Sequence, residues 1–133
     1  MKFHIILNRD GGTLRTLDLD AFCAEATTIL EQAGHSVGVD ITDGAGVSTA
    51  LERAASGSAD VIMVGGGDGT ISTAATLLQS SDKALAILPA GTMNLFARSL
   101  GIPLDLTAAV SEFATGTVRS VDLGWANGEV FVH

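Results

Sequence analysis

Two kinds of hydrophobic pattern alternate along this chain. Short apolar runs rich in valine and isoleucine predict buried strands, and stretches in which apolar residues recur every three or four positions predict amphipathic helices. Predicted strands cover residues 3–7, 37–41, 61–64 and 84–88, and predicted helices cover 19–33, 47–55, 71–78, 93–100 and 105–116. Strands that are separated by helices pair in parallel through right-handed crossovers. We therefore predict an α/β fold with an open, doubly wound and mostly parallel sheet in a three-layer, Rossmann-like arrangement.

The end of the chain follows a different pattern. Residues 118–126 and 129–133 flank Asn127-Gly128, which is a strong signal for a tight antiparallel hairpin. The sequence stops at His133 in the middle of the second predicted strand. We expect this hairpin to lead into a further β-rich part that is missing here; the alternative is a short ribbon that completes the domain.

Ligands of open parallel sheets bind beyond the carboxyl ends of the strands, where the connecting loops converge. The loops at residues 8–13, 42–46, 65–70 and 89–94 all follow predicted strands. Candidate binding residues on these four loops are therefore expected to lie close together in space.

The loop at 65–70 is the richest in glycine, with Gly65, Gly66 and Gly67 before Asp68 and Gly69 after it. Glycine lets the backbone take positive φ and lets its amides approach a bound group closely. The following helix directs its first N–H groups and its positive dipole end toward the same place, which favours a phosphate. Because a carboxylate repels phosphate, Asp68 indicates a nucleotide with a metal ion or a ribose nearby. The alternative is an ordinary turn in which Asp68 caps the helix.

Composition narrows the class of protein. The 133-residue chain has a formal charge of −8 and only 7 lysines and arginines, which argues against nucleic-acid binding and gives no polybasic signal for anionic lipid. The single cysteine, Cys23, lies on the apolar face of a predicted helix, where a buried and inert thiol is expected. Neither a signal peptide nor a membrane-spanning run is predicted, so a cytoplasmic location is expected.

Two motifs carry a resemblance to a known family. The run from Gly66 to Thr70, Gly-Gly-Asp-Gly-Thr, resembles the nucleotide-binding signature of the diacylglycerol kinase catalytic domain family, which includes bacterial lipid kinases and sphingosine kinases and is distantly related to NAD kinases and phosphofructokinases. The run from Pro89 to Pro103 resembles the family's Pro-x-Gly-Thr-x-Asn-Asp-Phe-Ala-Arg-x-Leu-Gly-Ile-Pro block. The resemblance spans nearly the whole chain but only the N-terminal part of a family member. It implies that residues 1–133 are the nucleotide-binding domain of a lipid kinase, truncated before a C-terminal β-sandwich domain.

The resemblance also implies a set of site residues. The positions matched to nucleotide contacts are Asn8, Thr42, Gly66, Gly67, Asp68, Gly69, Thr70, Ile71, Ser72, Thr92 and Asn94. Asp68 and Asp122 are the candidate metal ligands. Each of four residues has a simpler explanation: a turn-forming hydroxyl for Thr42, helix capping for Thr92 and Asn94, and a polar strand end for Asp122. The catalytic residues are unknown, and the resemblance places the general base in the missing C-terminal part.

The sequence departs from the family pattern at three places. Arg9-Asp10-Gly11-Gly12 follows Asn8 where Pro-x-Ser/Ala-Gly is usual, which predicts a differently shaped first loop in which Arg9 and Arg15 are candidate positive charges. Ser72 replaces a common asparagine. Leu95 replaces an aspartate, which removes a residue from any metal network that the aspartate would join.

The function that we predict is transfer of the γ-phosphoryl group of ATP, with Mg²⁺, to a lipid hydroxyl such as that of diacylglycerol, with this chain inactive by itself. The alternatives are an NAD kinase-like nucleotide kinase and a non-catalytic nucleotide-binding module. Expected partners are ATP and the lipid, with no nucleic acid. Peripheral contact with the inner membrane surface through the missing domain and a homodimer are further expectations.

Overall fold

The computed structural model describes residues 1–79, 81–90, 102, 105–116, 123–126 and 129–132. The strands are β1 (Lys2–Asn8), β2 (Ser36–Thr42), β3 (Val61–Gly66), β4 (Ala84–Pro89), β5 (Leu123–Ala126) and β6 (Glu129–Val132). The helices are α1 (Leu19–Gln32), α2 (Val47–Ala55), α3 (Asp68–Leu78) and α4 (Leu106–Thr115), with short 3₁₀ turns at Gly12–Arg15 and Gly44–Gly46.

Strands β1 to β4 form one parallel sheet in the order β2-β1-β3-β4. In the centre of this sheet Ile5 of β1 is paired with Val39 of β2 on one side and with Met63 of β3 on the other. The chain moves outward from β1 to β2 and then crosses back to β3 on the opposite side of β1. The carboxyl ends of β1 and β3 are therefore the switch point at which ligands of doubly wound sheets bind.

Alternate residues along each strand pack against helices on opposite faces of the sheet. Phe3, Ile5 and Leu7 of β1 belong to a core that includes residues of α1 and α4. Ile6 points to the other face and belongs to a core shared with α2 and α3. Because both faces are covered, the central strands read as continuous apolar runs rather than as alternating ones. The predicted three-layer α/β fold is confirmed.

Aspartates cap two of the helices. Asp18 is the N-cap of α1, and its carboxylate accepts a hydrogen bond from the Ala21 N–H at 3.1 Å. Gly34 follows the helix with φ of +91°, a conformation that glycine adopts without strain. Asp105 caps α4 in the same way, accepting from the Ala108 N–H at 2.9 Å.

Two predictions concern the C-terminal part of the chain. Strands β5 and β6 pair antiparallel, with Trp125 opposite Val130, as the hairpin prediction requires. The helix predicted over 93–100 lies outside the described residues, as do the turn residues 127–128. Within the part of the chain that the structure describes, no helix has both the length and the apolar character needed to cross a membrane.

Candidate nucleotide site

The carboxyl end of β1 is joined to the glycine loop through the side chain of Asn8. Asn8 is buried, and its Nδ2 donates a hydrogen bond to the Thr70 Oγ1 at 3.1 Å. The Asn8 Oδ1 accepts from the Asp10 N–H at 3.0 Å, which fixes the orientation of the amide. Both ends of this buried amide are thus satisfied, and the first turn of α3 is held beside β1.

Gly65 and Gly66 are glycines because other protein atoms occupy the space of a side chain. A Cβ at Gly65 would lie 2.8 Å from Leu7 Cδ2, inside the core. A Cβ at Gly66 would lie 2.7 Å from the Thr70 Cβ, so the threonine side chain lies directly against this backbone. Packing alone therefore explains the first two glycines of the loop.

Gly67 and Gly69 have different surroundings. A Cβ at either position would meet no protein atom within 4 Å. Positive φ does not explain them either, because the positive-φ glycines among the described residues are Gly12 and Gly34, and Gly67 has φ of −76°. The expectation that this loop uses positive φ is therefore wrong: its chain runs extended from β3 into α3. Gly67 and Gly69 therefore share one feature, the open space beside their backbone.

Helix α3 begins at this open space. Its N-cap is Gly67, which supplies no side-chain hydrogen bond, and Asp68 is the first residue of the helix. Asp68 is therefore not the cap that the simpler interpretation proposed. The carboxylate nevertheless lies in the first turn, where the helix dipole favours negative charge.

Thr70 presents a hydroxyl at the same end of α3. Its Oγ1 accepts the hydrogen bond from Asn8, so the hydroxyl is joined to the end of β1. The next residue, Ile71, is buried in the core and its N–H donates to the Gly67 carbonyl at 3.1 Å. Ser72 is half-buried on α3.

The second loop is folded upon itself. The Thr42 hydroxyl donates to the Asp43 carbonyl at 3.2 Å, and the Asp43 carboxylate accepts from the Gly46 N–H at 2.8 Å. A Cβ at Gly46 would overlap the Thr42 Oγ1. Thr42 therefore reaches the predicted edge of the sheet with its hydroxyl used in the turn, as the simpler interpretation of this residue expects.

The first loop contacts all three of the others, a role that the sequence did not reveal. The Arg9 N–H donates to the Thr42 carbonyl at 2.8 Å, a bond that a proline at this position could not make. The Thr13 N–H donates to the Ala90 carbonyl of the fourth loop, also at 2.8 Å. A Cβ at Gly11 would lie 3.0 Å from Gly66 Cα, so the first and third loops touch through two glycines.

The charges around these loops are mixed. The Arg9 guanidinium, a candidate positive charge, lies 3.9 Å from the Asp43 carboxylate, and both side chains are largely exposed. Exposed pairs of this kind contribute little to stability. Arg15, the other candidate, is exposed on the 3₁₀ turn of the first loop.

Three predicted site residues, Thr92, Asn94 and Asp122, lie outside the described residues. Among the residues that are described, no group of three or more His, Cys, Asp or Glu side chains could hold a metal ion.

Burial, with a smaller contribution from the charge of Asp20, raises the pKa of the Cys23 thiol, as expected for an unreactive thiol.

A doubly wound parallel sheet with a glycine-rich loop at its switch point is the arrangement on which many nucleotide-binding α/β domains are built. The family model described as the diacylglycerol kinase catalytic domain matches residues 2–126, so the chain belongs to that family.

Individual proteins agree with the family assignment. The chain is 38% identical over 114 residues to a protein of Bacillus subtilis (strain 168) named "Diacylglycerol kinase", a match that covers 83% of this chain and 38% of that protein. It is 39% identical over 112 residues to a protein of Pseudomonas aeruginosa (strain UCBPP-PA14) named "Probable lipid kinase YegS-like", covering 81% of this chain and 36% of the relative.

A solved structure has the same fold. The crystal structure of a diacylglycerol kinase from Bacillus anthracis (strain Sterne) superposes with a TM-score of 0.82 and 30% identity, covering 98% of this chain and 47% of that one. The chain thus spans less than half the length of each of these three proteins.

Proposed function

We propose that this chain is the N-terminal nucleotide-binding domain of an ATP-dependent lipid kinase. The whole protein transfers the γ-phosphoryl group of ATP to a lipid hydroxyl, and the names of the relatives favour diacylglycerol or a similar lipid as the acceptor. The observation that carries the proposal is the pair of glycines, Gly67 and Gly69, that neither packing nor φ explains.

A phosphate group suits the space beside these glycines. The backbone there is accessible because Cβ atoms are absent, and the α3 N-terminus offers N–H groups and the positive end of a dipole without a capping side chain from Gly67. The Thr70 hydroxyl, held by Asn8, adds a donor whose orientation is set before the ligand arrives. The chain's own residues therefore bind and orient the donor phosphates, which is most of what a phosphoryl-transfer enzyme must do.

Mg²⁺ is the expected companion of the nucleotide. It is usually held by one or two carboxylates together with substrate phosphates, so a protein cage of three acids is not required. Asp68, in the first turn of α3, is the carboxylate of this chain closest in sequence to the open glycines and is its candidate ligand. The ion would offset the negative charge of the phosphates beside this carboxylate. Asp122 is the second candidate.

The remaining parts of the reaction are assigned to the rest of the protein. We propose that a C-terminal domain supplies the general base and most of the acceptor site, so that residues 1–133 by themselves bind nucleotide weakly and do not turn over. The proposal includes a cytoplasmic enzyme that reaches its lipid by peripheral contact with the inner membrane surface. A homodimer is compatible with it.

The test is a kinase assay on the intact protein that contains this chain. Purified protein is given ATP and Mg²⁺ with diacylglycerol in mixed micelles, and in parallel with NAD as acceptor. We expect phosphorylated lipid and unmodified NAD, and loss of turnover in Asp68→Ala without loss of folding. Phosphorylation of NAD alone would replace the lipid kinase with a nucleotide kinase. ATP binding without transfer to any lipid of a panel would indicate a non-catalytic module.

A further inference from the structure

We propose that Asp10 is a positioning residue, which uses its backbone N–H and its carboxylate to hold the second loop and the glycine loop in a fixed relation. The inference rests on the proposed nucleotide-binding function, because it concerns the same site. It adds a residue that touches neither of the two open glycines and that the motifs do not mark.

The first contact of Asp10 is with Asn8. The Asp10 N–H donates to the Asn8 Oδ1 at 3.0 Å, so the Asn8 oxygen faces Asp10. The Asn8 Nδ2 must then face the other way, where it donates to the Thr70 Oγ1 at 3.1 Å. The Asp10 backbone N–H thereby fixes which end of the Asn8 amide meets Thr70.

The second contact of Asp10 is with the second loop. The Asp10 Oδ2 accepts from the Gly44 N–H at 3.0 Å. A Cβ at Gly44 would lie 3.9 Å from both the Asp10 Oδ2 and the Asn8 Nδ2, so these three residues meet closely. A continuous chain of hydrogen bonds therefore runs from Gly44 through Asp10 and Asn8 to Thr70.

This chain of bonds crosses three neighbouring strands of the sheet. Gly44 follows β2, Asn8 ends β1 and Asp10 follows it, and Thr70 follows β3. The order of these strands in the sheet is β2-β1-β3. Loops that close over a ligand from adjacent strands move independently unless something joins them. The Asp10 carboxylate adds a second bond between the first and second loops, beside the one from the Arg9 N–H to the Thr42 carbonyl.

A carboxylate at this position is otherwise unfavourable. Asp10 is exposed, and a negative charge close to a phosphate repels it. A purely electrostatic role would therefore weaken nucleotide binding, whereas a hydrogen-bonding role strengthens it. The two roles predict opposite results for alanine, which removes both the charge and the hydrogen-bond acceptor.

The experiment compares Asp10→Ala with Asp10→Asn in the intact protein, with titration of ATP and Mg²⁺ as the readout. Asparagine keeps an oxygen that can accept from Gly44 and removes the charge. We expect Asp10→Ala to bind about five- to tenfold more weakly, the effect of losing one solvent-exposed hydrogen bond. Asp10→Asn should stay within about twofold of the wild type or bind more tightly, because the repulsion is gone.

The matched control is Asp18→Ala. Asp18 also accepts one backbone N–H, at 3.1 Å, but within the cap of α1 and without a bond to another loop. The Asp18→Ala variant should lose about as much stability as Asp10→Ala and keep the wild-type affinity for ATP. The positioning role would be overturned if Asp10→Ala bound ATP within twofold of the wild type. It would also be overturned if Asp10→Asn bound ATP as weakly as Asp10→Ala.

Hydrogen exchange of the Gly44 amide separates this proposal from the function on which it rests. If the wild type binds no ATP, the nucleotide proposal fails, and the exchange rate still tests the join. The Gly44 N–H should exchange faster in Asp10→Ala and remain protected in Asp10→Asn. An unchanged rate in Asp10→Ala would show that Asp10 does not hold the second loop.

Discussion

The glycine loop contains two pairs of glycines whose surroundings are opposite. Gly65 and Gly66 end β3 and are enclosed, so that a Cβ at either would lie 2.8 Å or less from a side-chain atom. Gly67 and Gly69 stand at the start of α3, and a Cβ at either would touch nothing within 4 Å. Packing therefore explains the first pair of glycines and does not explain the second.

The comparison separates folding from binding at neighbouring positions. An enclosed glycine is required by the protein's own packing, and its replacement costs stability. An open glycine at negative φ is not required by the fold. Its replacement should lower the affinity for the ligand instead. If the nucleotide proposal is right, the effects of substitution must change from stability to affinity between Gly66 and Gly67.

The largest expected effect is that of Gly67→Val. The branched side chain would enter the open space, and we expect ATP affinity to fall by about 100-fold or more, equivalent to about 2.8 kcal/mol. Because valine is a poorer N-cap than glycine, the free energy of unfolding should fall as well, by no more than about 1 kcal/mol. Titration calorimetry and urea unfolding of the same preparation measure the two quantities. Wild-type affinity in this variant would place the ligand elsewhere.

Gly66→Ala should show the opposite balance. Its Cβ would lie 2.7 Å from the Thr70 Cβ, which belongs to the first turn of α3 and cannot simply rotate away. We expect a loss of about 1–3 kcal/mol in the free energy of unfolding, the usual range for overpacking. Chemical denaturation is the measurement. A variant as stable as the wild type would show that the loop yields easily and would remove the contrast between the two pairs.

Of the three glycine substitutions, Gly69→Ala is expected to have the smallest effects. Alanine is a better helix residue than glycine, and no protein atom opposes its Cβ, so stability should rise by about 0.5–1 kcal/mol. The added methyl group should nevertheless weaken ATP binding by about threefold to tenfold, or about 0.7–1.4 kcal/mol. Thermal unfolding with and without ATP would show both changes. Stability and affinity that rise together would contradict a ligand in this space.

Much of the fold could be predicted because it depends on local patterns. Apolar runs rich in β-branched residues predicted strand positions such as 61–64, within β3 (Val61–Gly66), and the aspartates before α1 and α4 act as caps. Such signals depend on neighbours a few residues apart. The parallel order of strands then follows from the alternation of strands and helices.

The arrangement of the site could be predicted only in part. The sequence placed the four loops at one edge of the sheet, but the bonds between them join residues far apart, such as Asn8 to Thr70 over 62 positions and Thr13 to Ala90 over 77. No periodic pattern encodes contacts of that range. For the same reason the letters of the glycine run could not show which glycines are enclosed and which are open. Asp10 was visible in the sequence only as a departure from a motif.

The most direct test of the account is a calorimetric titration of the intact protein with ATP, with and without Mg²⁺, in the wild type and in Thr70→Val. Valine keeps the shape of threonine and removes the hydroxyl that Asn8 holds. We predict saturable, Mg²⁺-dependent binding that Thr70→Val weakens by about tenfold, or 1.4 kcal/mol. Absence of binding at millimolar ATP, or equal affinity in Thr70→Val, would contradict a nucleotide site at the glycine loop.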